Sequence, residues 1–227
     1  MKNFIFGLGL LGSSFVSGAE LRAPIAAPQV QVGDSWTYQY TDVWKNEPGH
    51  ENRVEVTAVN DDGIEADLKR ADTGALVSHQ HFSREMNPFD RGQAHFATAF
   101  ARFAFPLEVG KKWSSEADAE NPAAGKHWRY QIEGRALAWE RIKVLAGEFD
   151  AIKIEVTAYY QNDEIGRNRG SSKATETLWY APAVKNFVKL DYLDMDRHGR
   201  VAKRDMWELT AYTALRDPVV GGPGASR

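Results

Sequence analysis

Polar and apolar residues alternate with a period of two through most of residues 32–214, the signature of strands with one packed face and one wet face. Trp36, Tyr38 and Tyr40 fall on one face, with Thr37, Gln39 and Thr41 on the other. Val54, Val56 and Ala58 alternate with Arg53, Glu55 and Thr57; Ile64, Ala66 and Leu68 alternate with Glu65, Asp67 and Lys69. Asp61-Asp62-Gly63 and Asp72-Thr73-Gly74 supply turn chemistry between these runs, so the first half reads as a meander. The second half has longer strands. Trp128, Tyr130 and Ile132 share one face, as do Ile152, Ile154, Val156, Ala158 and Tyr160 after the turn at Ala146-Gly147-Glu148. Further runs, Thr175 to Tyr180, Val184 to Tyr192 and Val201 to Tyr212, are separated by Pro182 and by Arg197-His198-Gly199. The spacing predicts a mainly all-β protein of about ten strands, folded as a curved antiparallel sheet or partial β-barrel.

Two stretches depart from this period. Phe96, Phe100 and Phe103 stand at i, i+4 and i+7, which predicts one short amphipathic helix ending at Phe105-Pro106. Residues 215–227 hold Pro218 and a Gly/Pro/Ser run without apolar period, which predicts a disordered tail. One pattern recurs: Val32-Gly33-Asp34-Ser35-Trp36 and Val109-Gly110-Lys111-Lys112-Trp113. It suggests an internal duplication with halves 32–105 and 106–214, each opened by a glycine turn and a buried tryptophan.

The start of the chain changes the picture. Lys2, the apolar run Phe4 to Leu11 and small residues ending in Ser17-Gly18-Ala19 have the layout of a secretory signal, so residues 1–19 are set apart from the fold. Cleavage near Ala19 would leave a mature chain starting at Glu20, with residues 20–31 as a linker, and would place the protein in the periplasm or outside the cell. The apolar run is shorter than the roughly 20 residues of a spanning helix, so integral membrane insertion is not expected. The chain has no cysteine, which removes disulfides, thiolate metal sites and a lipid-carrying N-terminal cysteine together. With 28 basic and 31 acidic side chains, the near-neutral balance gives no footprint for nucleic acid.

The two Val-Gly-x-x-Trp openings, the run Ala146-Gly147-Glu148-Phe149-Asp150-Ala151-Ile152-Lys153-Ile154, and Trp179-Tyr180-Ala181-Pro182 followed by Val188-Lys189 carry a resemblance. Over residues 30–213 the chain resembles exported bacterial proteins with domain of unknown function 3108 and their relatives. The resemblance implies an envelope β-sheet protein curled into a partial barrel, and it supplies no catalytic residues. Ala183-Val184-Lys185-Asn186 departs from it, standing where a glycine-containing turn is expected.

Candidate chemistry is sparse. Gly7-Leu8-Gly9-Leu10-Leu11-Gly12 matches a dinucleotide fingerprint in letters only, because it lies inside the signal. His79 and His81 would share one face of a strand, with His95 or Glu85 as a third ligand, but solvated histidines explain them more simply and no metal or cofactor is expected. Asp194-x-Asp196-x-His198-Gly199 with Asp205 echoes part of a calcium loop, yet its strand flanks favour a polar hairpin turn. The aromatics, 7 Trp, 8 Tyr and 11 Phe, are the stronger feature. Phe96, Phe100, Phe103, Tyr38 and Tyr130 are candidate ligand-binding residues in the concavity of the sheet, with Phe96 to Phe105 as a flap or a plug. The expected function is non-enzymatic binding of a hydrophobic or amphipathic small molecule, or of an envelope protein partner. A hydrolase acting on an envelope polymer and a structural or assembly component are the alternatives.

Overall fold

A computed structural model describes residues 22–92, 94–162 and 171–215. The signal, its cleavage point and all of the tail beyond Leu215 lie outside the described residues. Twelve strands follow in chain order: β1 (Ser35–Asp42), β2 (Glu47–Asn60), β3 (Gly63–Arg70), β4 (Leu76–Phe82), β5 (Asp90–Arg91), β6 (Ala94–Phe96), β7 (Lys112–Asn121), β8 (Lys126–Val144), β9 (Gly147–Asn162), β10 (Ser172–Ala181), β11 (Asn186–Met195) and β12 (Val201–Thr213). They form one antiparallel sheet in the order β4-β3-β2-β1-β12-β11-β10-β9-β8-β7-β6-β5. The all-β expectation holds; the count exceeds ten because β5 and β6 are only two and three residues long.

The sheet curls until its edges meet. Phe82 bridges Pro88, the Phe89 amide donates to the His81 carbonyl at 2.9 Å, and the His81 amide donates to Asp90 at 3.2 Å. The chain between β4 and β5 thus spans the seam and leaves a nearly closed barrel. Its interior rows are those with strict alternation: Tyr130 and Ile132 on β8 point inward beside Ile152, Ile154, Val156 and Ala158 on β9, while Arg129, Gln131, Glu133 and Arg135 point outward. A lipid-facing barrel has the reverse arrangement, because a charge on its outer face costs several kcal/mol near the bilayer midplane. Among the described residues no helix is long and apolar enough to cross a membrane.

One end of the barrel is filled. Trp36, Leu178, Leu209, Ile132, Ile152, Ile154 and Val184 are fully buried there, and the Trp36 indole donates to the Val184 carbonyl at 2.7 Å. Residues 22–31 lie across this end, with Ile25 bridging Leu107 in both directions at 2.8 Å. The turns before Trp36 and Trp113 have matching geometry. Gly33 and Gly110 sit at φ +91° and +90°, a conformation that favours glycine, and their amides donate to Val56 and Ala136. The tryptophans differ: Trp36 is fully buried, whereas Trp113 is half-buried and bonds the Ala101 carbonyl. Where a turn glycine was expected, Lys185 takes the left-handed conformation at φ +62°. Its ammonium compensates by binding the carbonyls of Gln29 and Leu215, each at 2.7 Å, and buried Asp34 at 3.2 Å, which ties both ends of the described chain to the barrel.

The short helix across Phe96, Phe100 and Phe103 is not formed. Phe96 ends β6 and the following residues run irregularly through the core. Their amides are taken by partners outside the segment: Phe96 donates to Phe89, Ala97 to Asp118, and Phe100 to Pro88. Asn87 clasps Phe103 on both sides, accepting from its amide at 2.7 Å and donating to its carbonyl at 3.0 Å. With the amides of Phe96, Ala97, Phe100 and Phe103 satisfied by these partners, they are not available for the i to i−4 bonds of a helix.

Candidate functional site

The other end of the barrel opens into a cavity of about 570 Å³. Residues from ten of the twelve strands line it, all but β6 and β7. The row Ala174-Glu176-Leu178-Tyr180 of β10 places one acid among apolar neighbours, and Glu176 is 2% exposed. Two guanidiniums converge on this carboxylate. Arg102 donates through Nε to Oε2 at 2.9 Å and through Nη2 to Oε1 at 3.2 Å, and Arg91 donates through Nη2 to Oε1. Burial alone would push the Glu176 carboxyl up, but the charges and hydrogen bonds of Arg102 and Arg91 override it and hold the carboxyl below its ordinary value. The cations are themselves seated on rings, Arg91 3.9 Å over Phe100 and Arg102 5.7 Å over Phe187.

Above this charged floor the walls are aromatic and amide-bearing. Tyr38 stacks on Phe187 at 4.6 Å and donates to its carbonyl at 2.8 Å; Tyr130 stacks on Tyr160 at 5.1 Å. Tyr160 donates to both oxygens of Asp194, at 2.8 and 2.9 Å. Burial raises the Asp194 carboxyl above its ordinary value, against the hydrogen bonds of Tyr160 and Tyr192 and the charge of Arg91. Trp128, Trp207, Asn52 and Gln80 complete the lining, and Lys203 reaches in while holding Asp205 at 2.6 Å. Asp205 also accepts from Tyr40 at 2.9 Å, and burial together with that bond pushes the Tyr40 hydroxyl up to about 12.

Of the residues singled out by sequence, Tyr38 and Tyr130 line the cavity. Phe96, Phe100 and Phe103 lie beneath it, each 1% exposed, where they carry the wall and the Arg91 ring contact as a plug does. Sequence reasoning missed Glu176, Arg91 and Arg102; the one available signal was an acid on the apolar row of β10. Asp194 was read with the hairpin turn. Asp196, His198 and Gly199 do form that turn, through Asp196 accepting from the His198 amide at 2.8 Å, but Asp194 stands on β11 and points inward.

Other polar groups face outward. His79 and His81 share the outer face of β4, as expected, yet each has its own carboxylate: His79 lies 2.9 Å from Asp67, and His81 lies 3.7 Å from Glu65 while stacking on Phe89. His95 pairs with Asp90 at 2.8 Å. Among the described residues, no three metal-ligating side chains converge. A second depression, about 480 Å³, lies along β7 to β9 and is lined by charged side chains such as Arg135 and Glu155, which bond each other at 2.7 Å.

No family model matches the chain, and no curated protein matches it. Two solved structures resemble it. A candidate lipoprotein from Parabacteroides distasonis aligns with a TM-score of 0.53 at 13% identity, covering 85% of this chain and all of that one. A candidate exported protein with a YmcC-like fold from Bacteroides fragilis aligns with a TM-score of 0.48 at 12% identity, over 84% of this chain and all of that one. At such identities the likeness to the first is one of fold.

Proposed function

We propose that the protein is an exported component of a bacterial envelope, released from its signal near Ala19, that holds an amphipathic small molecule in the open end of the barrel. The observation that carries this reading is the cavity itself. Its volume falls in the usual range for small-molecule sites, and its lining is chiefly aromatic and aliphatic with a few fixed polar groups. The resemblance to exported proteins with domain of unknown function 3108 supports the compartment. The aromatic concavity favours binding over a hydrolytic cleft, since Glu176 is tied up by two arginines and Asp194 is hydrogen-bonded by Tyr160.

A neutral apolar dye, N-phenylnaphthylamine, tests the reading on the mature protein. It is expected to bind with one-to-one stoichiometry and to quench or shift the fluorescence of Trp128 and Trp207, which line the cavity. Ala174→Trp fills the same space from the inward row of β10 and should abolish dye binding while leaving the circular dichroism of the sheet intact. Dye binding that is unchanged in Ala174→Trp, or missing from the wild-type protein, would overturn the proposal.

A further inference from the structure

We infer that the floor of this cavity is an anion-binding subsite in which Arg91 receives the compact anionic head group of an amphiphile, so that the ligand enters head first. This rests on the cavity being a small-molecule site, and it names the ligand class and its orientation.

The argument starts from how charges are shared. The ammonium of Lys203 in the lining has a carboxylate of its own, Asp205 at 2.6 Å. At the floor, a single buried carboxylate serves two guanidiniums. Arg102 spends two N–H groups on Glu176 in a forked contact. Arg91 spends only Nη2; its Nε and Nη1 have no acceptor among the described residues. Phe100 covers a flat face of that guanidinium at 3.9 Å, with Tyr192 at 5.8 Å, and Arg91 is part of the cavity lining. Of the other lining carboxylates, Asp90 accepts from the His81 amide and Asp194 from the Tyr160 hydroxyl, and neither is within ion-pair reach of Arg91.

The N–H groups of Arg91 left over at Nε and Nη1 are charge-assisted donors suited to the oxygens of a carboxylate or a phosphate. The site is also prepaid in geometry: Glu176 and the Phe100 ring fix Arg91 before any ligand arrives, so little side-chain freedom is lost on binding. With its side chain 17% exposed, Arg91 is screened little by solvent, so an anion that reaches its free donors gains a strong charge-assisted contact. The aromatic walls above, Tyr38, Phe187, Tyr130 and Trp128, would then take an apolar tail directed toward the mouth.

Four probes with one twelve-carbon tail separate head from tail: dodecanoate, dodecyl phosphate, dodecanol and dodecyltrimethylammonium. Each is titrated below its micelle concentration against dye-loaded mature protein. Dodecanoate or dodecyl phosphate should displace the dye at about 10–100-fold lower concentration than dodecanol, the value of one charge-assisted hydrogen-bonded contact, and the ammonium probe should be the weakest. The better of the two anions identifies the head group as carboxylate or phosphate. Arg91→Gln should erase the preference for an anionic head, and Arg91→Lys should restore part of it. Equal displacement by dodecanoate, dodecyl phosphate and dodecanol in the wild-type protein would sink the anion subsite and leave the cavity reading standing. Failure of every probe and of the dye would remove both. If Arg91→Gln lowers the melting temperature, the wild-type head-group series still decides the matter, because it needs no variant.

Discussion

Replacing Glu176 with glutamine preserves shape and removes one charge from a deeply enclosed ionic group of the barrel. Glu176 is 2% exposed, and the Arg91 and Arg102 side chains are 17% and 12% exposed, so solvent screens the group little. Breaking such a buried set by deleting one partner costs about 3–5 kcal/mol, because the charges left behind have lost their compensation. Against a total stability of about 5–15 kcal/mol that is a severe loss. For a domain of this size, each kcal/mol corresponds to roughly 2–4 °C, so Glu176→Gln should melt about 6–20 °C below wild type. The pH dependence has a definite sign. The carboxyl is depressed in the folded protein, so its contribution is complete above the ordinary value of 4.5 and fades as pH falls through the lowered folded value. The gap between variant and wild type should therefore be widest at neutral pH and should narrow in acid. Thermal melts followed by circular dichroism from neutral to acid pH measure both. A variant that melts within about 1 °C of wild type at pH 7, or a gap that grows in acid, would refute the reasoning.

Two further outcomes follow from packing. Trp36→Ala removes a fully buried indole and its 2.7 Å bond to Val184, and should cost about 3–5 kcal/mol in denaturant titration, whereas Trp113→Ala, half-buried, should cost clearly less. Gly134→Val should destabilise by at least about 1–3 kcal/mol, since even a Cβ there would sit 2.0 Å from the Trp113 ring that covers this glycine; tolerance of the substitution would show that Trp113 is free to move.

The parts of the fold legible in the sequence are those where alternation is strict and local. Ile152, Ile154, Val156 and Ala158 declare their face because every second neighbour is polar, and the glycine turns before Trp36 and Trp113 announce themselves by residue type. The Phe96, Phe100 and Phe103 spacing misled because a helical period says nothing about who takes the backbone amides; Asn87, Phe89 and Pro88 take them here. The cavity floor was hidden for a different reason. Arg91 and Arg102 stand 85 and 74 residues from Glu176, and nothing in their local sequence marks them as inward-facing. The acid at Glu176 could be noticed on its apolar row, but its partners sit on the two-residue β5 and in the irregular stretch between β6 and β7, where no period assigns a face.

The strand order also carries a consequence for assembly. Within the runs β1 to β4 and β5 to β12, each strand pairs with its neighbour in sequence, and contacts of that kind close small loops and form early. The pairing of β1 with β12 is the exception, joining Ser35 to Thr213. Two meanders can therefore gather independently, but the barrel acquires a closed wall only when the last strand meets the first. A nascent chain lacking its final strand would hold two open sheet edges, at β1 and β11, at the moment when pairing with another copy is easiest. Residues Val201 to Thr213 thus act as the keystone of the barrel, and truncation there should favour aggregation over a smaller folded form.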